Sequence, residues 1–112
     1  MEERISRKAV EISDEFKAHR TYIYDYTLDI FGYIQAERYL QKIQDALGTL
    51  YDSYLSYPEC RHIPTKSRMY RNIIMDSHLI IYRVTFSRIE VLDIIHAASS
   101  IGKIRGIRKI QL

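Results

Sequence analysis

The chain has 112 residues, enough for one hydrophobic core rather than two. It is 46% hydrophobic and 28% charged, which is globular composition and excludes a disordered chain. The net charge of +3 is too mild to define a nucleic-acid or membrane partner. It conceals a split, however. Residues 1–57 carry seven basic and ten acidic residues, and residues 58–112 carry ten and four. Eight of the ten tyrosines fall between Tyr22 and Tyr57. Cys60 stands alone, so an internal disulfide framework and a cysteine-cluster zinc site are excluded. The start, Met-Glu-Glu-Arg-Ile, lacks the basic-then-apolar plan of a signal peptide, and no apolar run is long enough to span a bilayer. A cytoplasmic protein without membrane contact is the expectation.

In chain order, residues 6–12 alternate weakly and predict a short strand with Val10 and Ile12 on one side. Ser13 followed by Asp14 and Glu15 is a helix start, with a hydroxyl cap and acids in the first turn. From there Phe16, Ile23, Tyr26 and Ile30 predict one apolar helix face, with His19 on the same stripe. Gly32 is suited to a left-handed cap and separates a second helix. The second stripe is Ala36, Leu40, Ile43, Leu47, Leu50 and Tyr54, the strongest periodic signal in the chain. So short a break predicts an antiparallel helical hairpin. Tyr57-Pro58 is read as the end of the second helix, because the residue before proline avoids helical backbone angles.

After a polar connection over 58–67, three runs rich in β-branched and aromatic residues predict an antiparallel meander: Met69 to Met75, His78 to Val84, and Ile89 to Ala97. A two-residue turn at Asp76-Ser77 sets Arg71 opposite Tyr82. A Ser87-Arg88 turn would put Asp93 opposite Tyr82; a four-residue turn would put Val91 there. Both faces of this sheet are apolar. One carries Ile73, Met75, Ile80, Val84, Ile89, Val91 and Ile95; the other carries Tyr70, Ile74, Leu79, Ile81, Leu92 and Ile94. The hairpin can cover only one. The other requires the C-terminal tail, the first strand, a second copy or a partner, and if left open it would be an interaction surface. The tail places Ile at 101, 104, 107 and 110, and Gly102 and Gly106 weaken any helix there, so packing or a partner must order it.

This β-α-α-β-β-β order resembles the RelE/ParE toxin superfamily of type II toxin–antitoxin systems. The carrying residues are Ile12-Ser13-Asp14-Glu15-Phe16, the stretch Ile30 to Leu40, Tyr57-Pro58, Tyr70-Arg71-Asn72-Ile73-Ile74, His78 to Val84, and Ile89 to His96. They span roughly residues 5 to 98 and look more like the ParE, plasmid-stabilisation branch. The resemblance implies an α+β fold with a helical hairpin packed on an antiparallel sheet. It implies one toxin domain over 1–112, with 99–112 as a basic tail. It further implies a toxin that inhibits a cellular target, DNA gyrase first, and is neutralised by a cognate antitoxin. An alternative is a ribosome-dependent mRNA endonuclease, and a second alternative is a degenerate, non-toxic binding protein of the same family.

The candidate residues follow from that. In nuclease members the arginine matching Arg71 neutralises the scissile phosphate, and the neighbourhood of His96 supplies acid–base groups. Here His96 is followed by Ala97, Ala98, Ser99 and Ser100, without the Arg and Tyr of a nuclease. Catalytic roles for Arg71 and His96 are therefore tied to the endonuclease alternative. Arg83, Lys103, Arg105, Arg108 and Lys109 are the candidate binding residues for antitoxin, target or nucleic acid. His19 is expected to be packed or half-buried, and His62 and Arg61 solvated. The four histidines lack metal-ligand spacing and Cys60 lacks an activating neighbour, so neither metal nor cofactor is expected.

Overall fold

A computed structural model describes residues 6–112. Strand β1 (Ala9–Ile12) leads into helix α1 (Asp14–Phe31), helix α2 (Tyr33–Gly48) and a short helix α3 (Leu50–Ser53). Strands β2 (Tyr70–Ile74), β3 (His78–Val84) and β4 (Arg88–His96) follow, then helix α4 (Ile101–Gly106) and a 3₁₀ turn at Ile107–Lys109. The sheet order is β1-β4-β3-β2. The three later strands form the expected antiparallel meander, but β1 joins β4 in parallel, so the sheet is mixed.

Each boundary of α1 has a local cause. Ser13 Oγ accepts from the Phe16 N–H at 3.0 Å, satisfying one of the first-turn donors. At the other end Gly32 holds φ 89° and ψ 174°, while its N–H closes onto the Leu28 carbonyl at 3.0 Å. That backbone region is essentially glycine-only. A Cβ at Gly32 would meet nothing within 4 Å, so the strain is purely torsional. Gly32→Ala should cost about 1–3 kcal/mol, read as a lower denaturation midpoint with unchanged slope.

Layering follows the periodicities. Phe16 and Ile23 of α1, Ala36 and Ile43 of α2, Leu50 of α3 and Tyr54 are buried. Most of them pack on Ile73, Ile80, Tyr82, Ile89, Val91 and Ile94 of the sheet. The α2 stripe runs through Thr49 into α3, which ends at Ser53, ahead of the expected stop at Tyr57-Pro58. Residues 58–60 then lie along β2: the Cys60 N–H donates to the Tyr70 carbonyl and the Asn72 N–H to the Pro58 carbonyl. Tyr26 and Ile30 depart from the expected buried stripe. Both are exposed, because the hairpin overhangs the sheet beyond Ile23.

The β3–β4 register contains a bulge. Val91 faces Tyr82, as a four-residue turn requires, but Asp93 faces Ile81, so Leu92 is an inserted residue. The Arg71–Tyr82 pair holds; the row from Arg71 through Tyr82 to Asp93 does not form. The inserted residue exchanges the expected places of Ile94 and Ile95. Ile94 lies in the helix-side core, and Ile95 packs on the opposite face with Ile81 and Leu92. Ile74, expected on that second face, is exposed near the sheet edge.

The tail covers the second face. Ile104 and Ile107 are buried against Ile81, Leu92 and Ile95, with Ile110 packed alongside. Their three-residue spacing drifts around an α-helix, but in the 3₁₀ turn residues three apart eclipse. Switching to that geometry at Ile107 keeps Ile107 and Ile110 on the sheet. Arg83 secures the end: its Nη2 donates to the Ile110 carbonyl at 3.0 Å and its Nη1 to the Arg108 carbonyl at 3.2 Å. Of the four covers the sequence allowed for this face, the C-terminal tail is the one that occupies it, so this face is not an open surface for a partner.

Candidate binding cleft

With the second sheet face closed, a cleft remains beside it at the turn end of the hairpin. A cleft of about 770 Å³ opens between the outer half of α1, the start of α2, the β2–β3 turn and the end of β4. Ile23, Ile94 and Ile95 line it, as do Tyr22, Tyr26 and Phe31 of α1. Its polar groups include His19, Tyr39, Asp76, His78, His96 and Lys103. An apolar site with a few convergent polar groups is a recognition site in its general physics.

The histidines are held in place by their neighbours. The Tyr39 hydroxyl lies 2.7 Å from Nδ1 of His78. Burial, and then the Asp76 carboxylate, push the Tyr39 phenol up to about 12, so it keeps its proton beside the ring. The His78 and His96 rings meet edge to face, with centroids 5.6 Å apart. Nδ1 of His96 accepts from the Ala98 N–H at 3.0 Å. On the α1 side, Nδ1 of His19 is 2.6 Å from the buried Asp93 carboxylate, which also accepts from the Ile94 N–H at 2.8 Å. The His19 side chain is half-buried, within the sequence expectation.

Burial, and then neighbouring His96, lower the His78 pKa below its ordinary 6.5. The folded state thus resists a proton that the unfolded chain accepts. Stability linked to His78 is full above about pH 6.5 and falls as pH drops from there to the lowered value. Denaturation midpoints at pH 8 and pH 5 should differ less in His78→Gln than in the parent chain.

The sequence-derived candidates scatter over this architecture. Arg71 lies outside the cleft, where its Nη1 donates to the carbonyls of Tyr57 at 2.8 Å and Leu55 at 3.4 Å. It sits four residues along β3 from the His78–His96 pair, roughly 13 Å at strand spacing. Arg71 and His96 are not brought together. Arg83 is mostly buried between Glu90 (2.7 Å) and the tail, and its guanidinium stacks on Tyr70. Lys103 lines the cleft, whereas Arg105 bonds the His62 carbonyl at 3.3 Å, and Arg108 and Lys109 are exposed on the tail. The Tyr39–His78–His96 cluster was missed from sequence because neither simple register pairs the two histidines. The inserted Leu92 makes His78 face His96. Among the described residues no group of three or more His, Cys, Asp or Glu could hold a metal ion, and no helix is long and apolar enough to cross a membrane.

A helical hairpin laid on one face of a β1-β4-β3-β2 sheet, with a tail helix on the other, defines a small α+β class with a mixed four-stranded sheet. Residues 10–101 match the family model described as ParE toxin of type II toxin-antitoxin system, parDE. The chain belongs to this ParE toxin family. Among solved structures it is similar to a chain described as the chromosomal ParDE TA system from P. aeruginosa. The two share 17% identity and a TM-score of 0.66, over 81% of this chain and 97% of that one. No curated protein sequence matches the chain.

Proposed function

We propose that this ParE-family toxin acts in the cytoplasm by binding DNA gyrase, without catalysis of its own, and that a cognate antitoxin neutralises it by placing a segment in the cleft. A plasmid-stabilising role accords with the same reading. The observation that carries it is the placement of Arg71. A phosphate-holding cation must be presented to substrate, yet this guanidinium is committed to two backbone carbonyls, two strands across and four residues along the sheet from His96. The cleft instead offers aromatic walls and an apolar floor, which suit an amphipathic peptide. Lys103 at the cleft, and Arg105, Arg108 and Lys109 on the tail, add cations for an acidic antitoxin or target. Arg83 serves them indirectly by ordering the tail. Two assays separate the readings. Purified protein should inhibit gyrase supercoiling and leave mRNA intact in a ribosome-primed reaction. Cut mRNA with normal supercoiling would instead support the endonuclease, and neither effect the non-toxic binding protein.

A further inference from the structure

The cleft lies at the His78–His96 end of the sheet. At the opposite end of β3, roughly 20 Å away at strand spacing, the β3–β4 turn carries Phe86, which is 100% exposed. A lone exposed apolar side chain needs no explanation by itself. The setting of this one does, because so tight a turn ordinarily uses glycine and short polar residues. The turn is also firmly held. The Arg88 N–H donates to Thr85 Oγ1 at 3.0 Å, and Lys8 Nζ donates to the Thr85 and Phe86 carbonyls at 2.5 and 3.1 Å. The ring is thus presented on a fixed support.

Cations reach this end from separate segments. The β2–β3 register, continued past Tyr70 and Arg83, sets Arg68 opposite Thr85, and the Val84 N–H donates to the Met69 carbonyl at 2.7 Å. Arg68 holds φ 54°, a left-handed angle uncommon outside glycine, and its N–H is tied to the Thr65 carbonyl at 3.2 Å. On the tail side, Arg83 draws the Arg108 and Ile110 carbonyls to the same end and brings Arg108 and Lys109 with them. Arg68, Arg108 and Lys109 are exposed and make no ion pair among the described residues. The acids of the neighbouring strands stand back from the turn. Glu90 is buried between Arg83 and Arg88, and Glu11 lies opposite Glu90 rather than at the tip.

Three anionic partners would answer such charge, and the shape selects among them. An acidic peptide needs a groove, yet the cleft and the smaller hollow at Lys42 and Asp76 both lie away from this end. A bilayer needs more apolar surface than one ring, since even a whole myristoyl chain anchors only marginally. A DNA duplex supplies the groove itself, with phosphates along its rims for the cations and base steps that a phenylalanine can wedge apart. We propose that this end of the sheet binds duplex DNA, with Arg68, Arg108 and Lys109 on phosphates and Phe86 wedged into the minor groove. The contact uses no cleft residue, so it stands or falls separately from the gyrase and antitoxin readings.

Fluorescence anisotropy of a labelled duplex of about 20 bp, titrated with the full chain in the absence of gyrase across about 50–200 mM salt, tests this. Binding should be micromolar at the lowest salt, and log K should fall with log salt at a slope of about −3, one for each free cation. Phe86→Ala should weaken binding at least about fivefold with the slope unchanged. Arg68→Gly, which suits the left-handed angle and so keeps the fold, should flatten the slope by about one, as should Lys109→Gln. No binding up to about 100 μM chain at the lowest salt would overturn the proposal. Binding that none of the three variants changes would overturn it equally, as would capture by anionic vesicles or duplex RNA with none by duplex DNA.

Discussion

Replacing Arg83 with alanine is expected to destabilise the protein by about 3 kcal/mol and to release its C-terminal tail. Glu90 is buried and accepts from Nε of Arg83 at 2.7 Å and from Arg88 at 2.7–3.0 Å. Removing one cation from a buried ion cluster leaves charge that water cannot reach, and such losses are typically about 3–5 kcal/mol. Arg88 remains and moderates the effect. Against that, Arg83 also holds the carbonyls of Arg108 and Ile110, so the variant loses the clamp on Ile107 and Ile110 as well. Limited proteolysis should cut the variant's tail faster, and hydrogen exchange should rise at Ile104–Ile110 and at Leu92. A tail as protected as in the parent chain would contradict this assignment. The same cluster sets an acid limit. Burial raises the Glu90 pKa, but the hydrogen bonds from Arg83 and Arg88 more than offset it, leaving the carboxyl below its ordinary 4.5. Stability linked to Glu90 is therefore complete above about pH 4.5 and is lost as pH falls through the lowered value.

Ser13→Ala should cost about 2–4 kcal/mol, a large effect for the loss of one oxygen. Ordinary cap removal costs about 1 kcal/mol. Here the hydroxyl also donates to the Leu92 carbonyl at 2.5 Å, and the Ser13 N–H donates to the Val91 carbonyl at 2.9 Å. Strand β1 ends opposite Val91, just before the inserted residue, so beyond that point Ser13 replaces the missing neighbour strand. Alanine leaves the Leu92 carbonyl buried without this donor, which adds about 1–3 kcal/mol. Ser13→Thr keeps the hydroxyl and should recover most of the loss. Chemical denaturation of the two variants checks the difference, and equal midpoints would show that the hydroxyl contributes nothing beyond bulk.

Much of the fold was legible because its elements bury one face at a helical or strand period. The α2 stripe from Ala36 to Tyr54, the Ser13 cap, the Gly32 break and the Arg71–Tyr82 pairing are local or nearly local signals, and each stands in the structure. Tyr26 and Ile30 show the limit of periodicity. It identifies an apolar face but not what lies against it, and here the helices outrun the sheet. The bulge was hidden for a different reason. Val91, Leu92, Ile94 and Ile95 are apolar on both sides of the strand, so an inserted residue disturbs no polar–apolar alternation. The histidine pair at the cleft depends on that insertion and was invisible for the same reason. The charge split near residue 57 remains informative, but its basic half folds back on itself. Arg83 and the tail isoleucines close the very surface that the composition offered to a partner.

The central claim is that the protein acts by occupying its target rather than by turning over a substrate. Titrating the purified chain into supercoiling reactions at several gyrase concentrations tests it most directly. Half-inhibition should require toxin in proportion to gyrase, with neither plasmid nor mRNA consumed. Inhibition by far less toxin than gyrase, or no inhibition at any ratio, would contradict it.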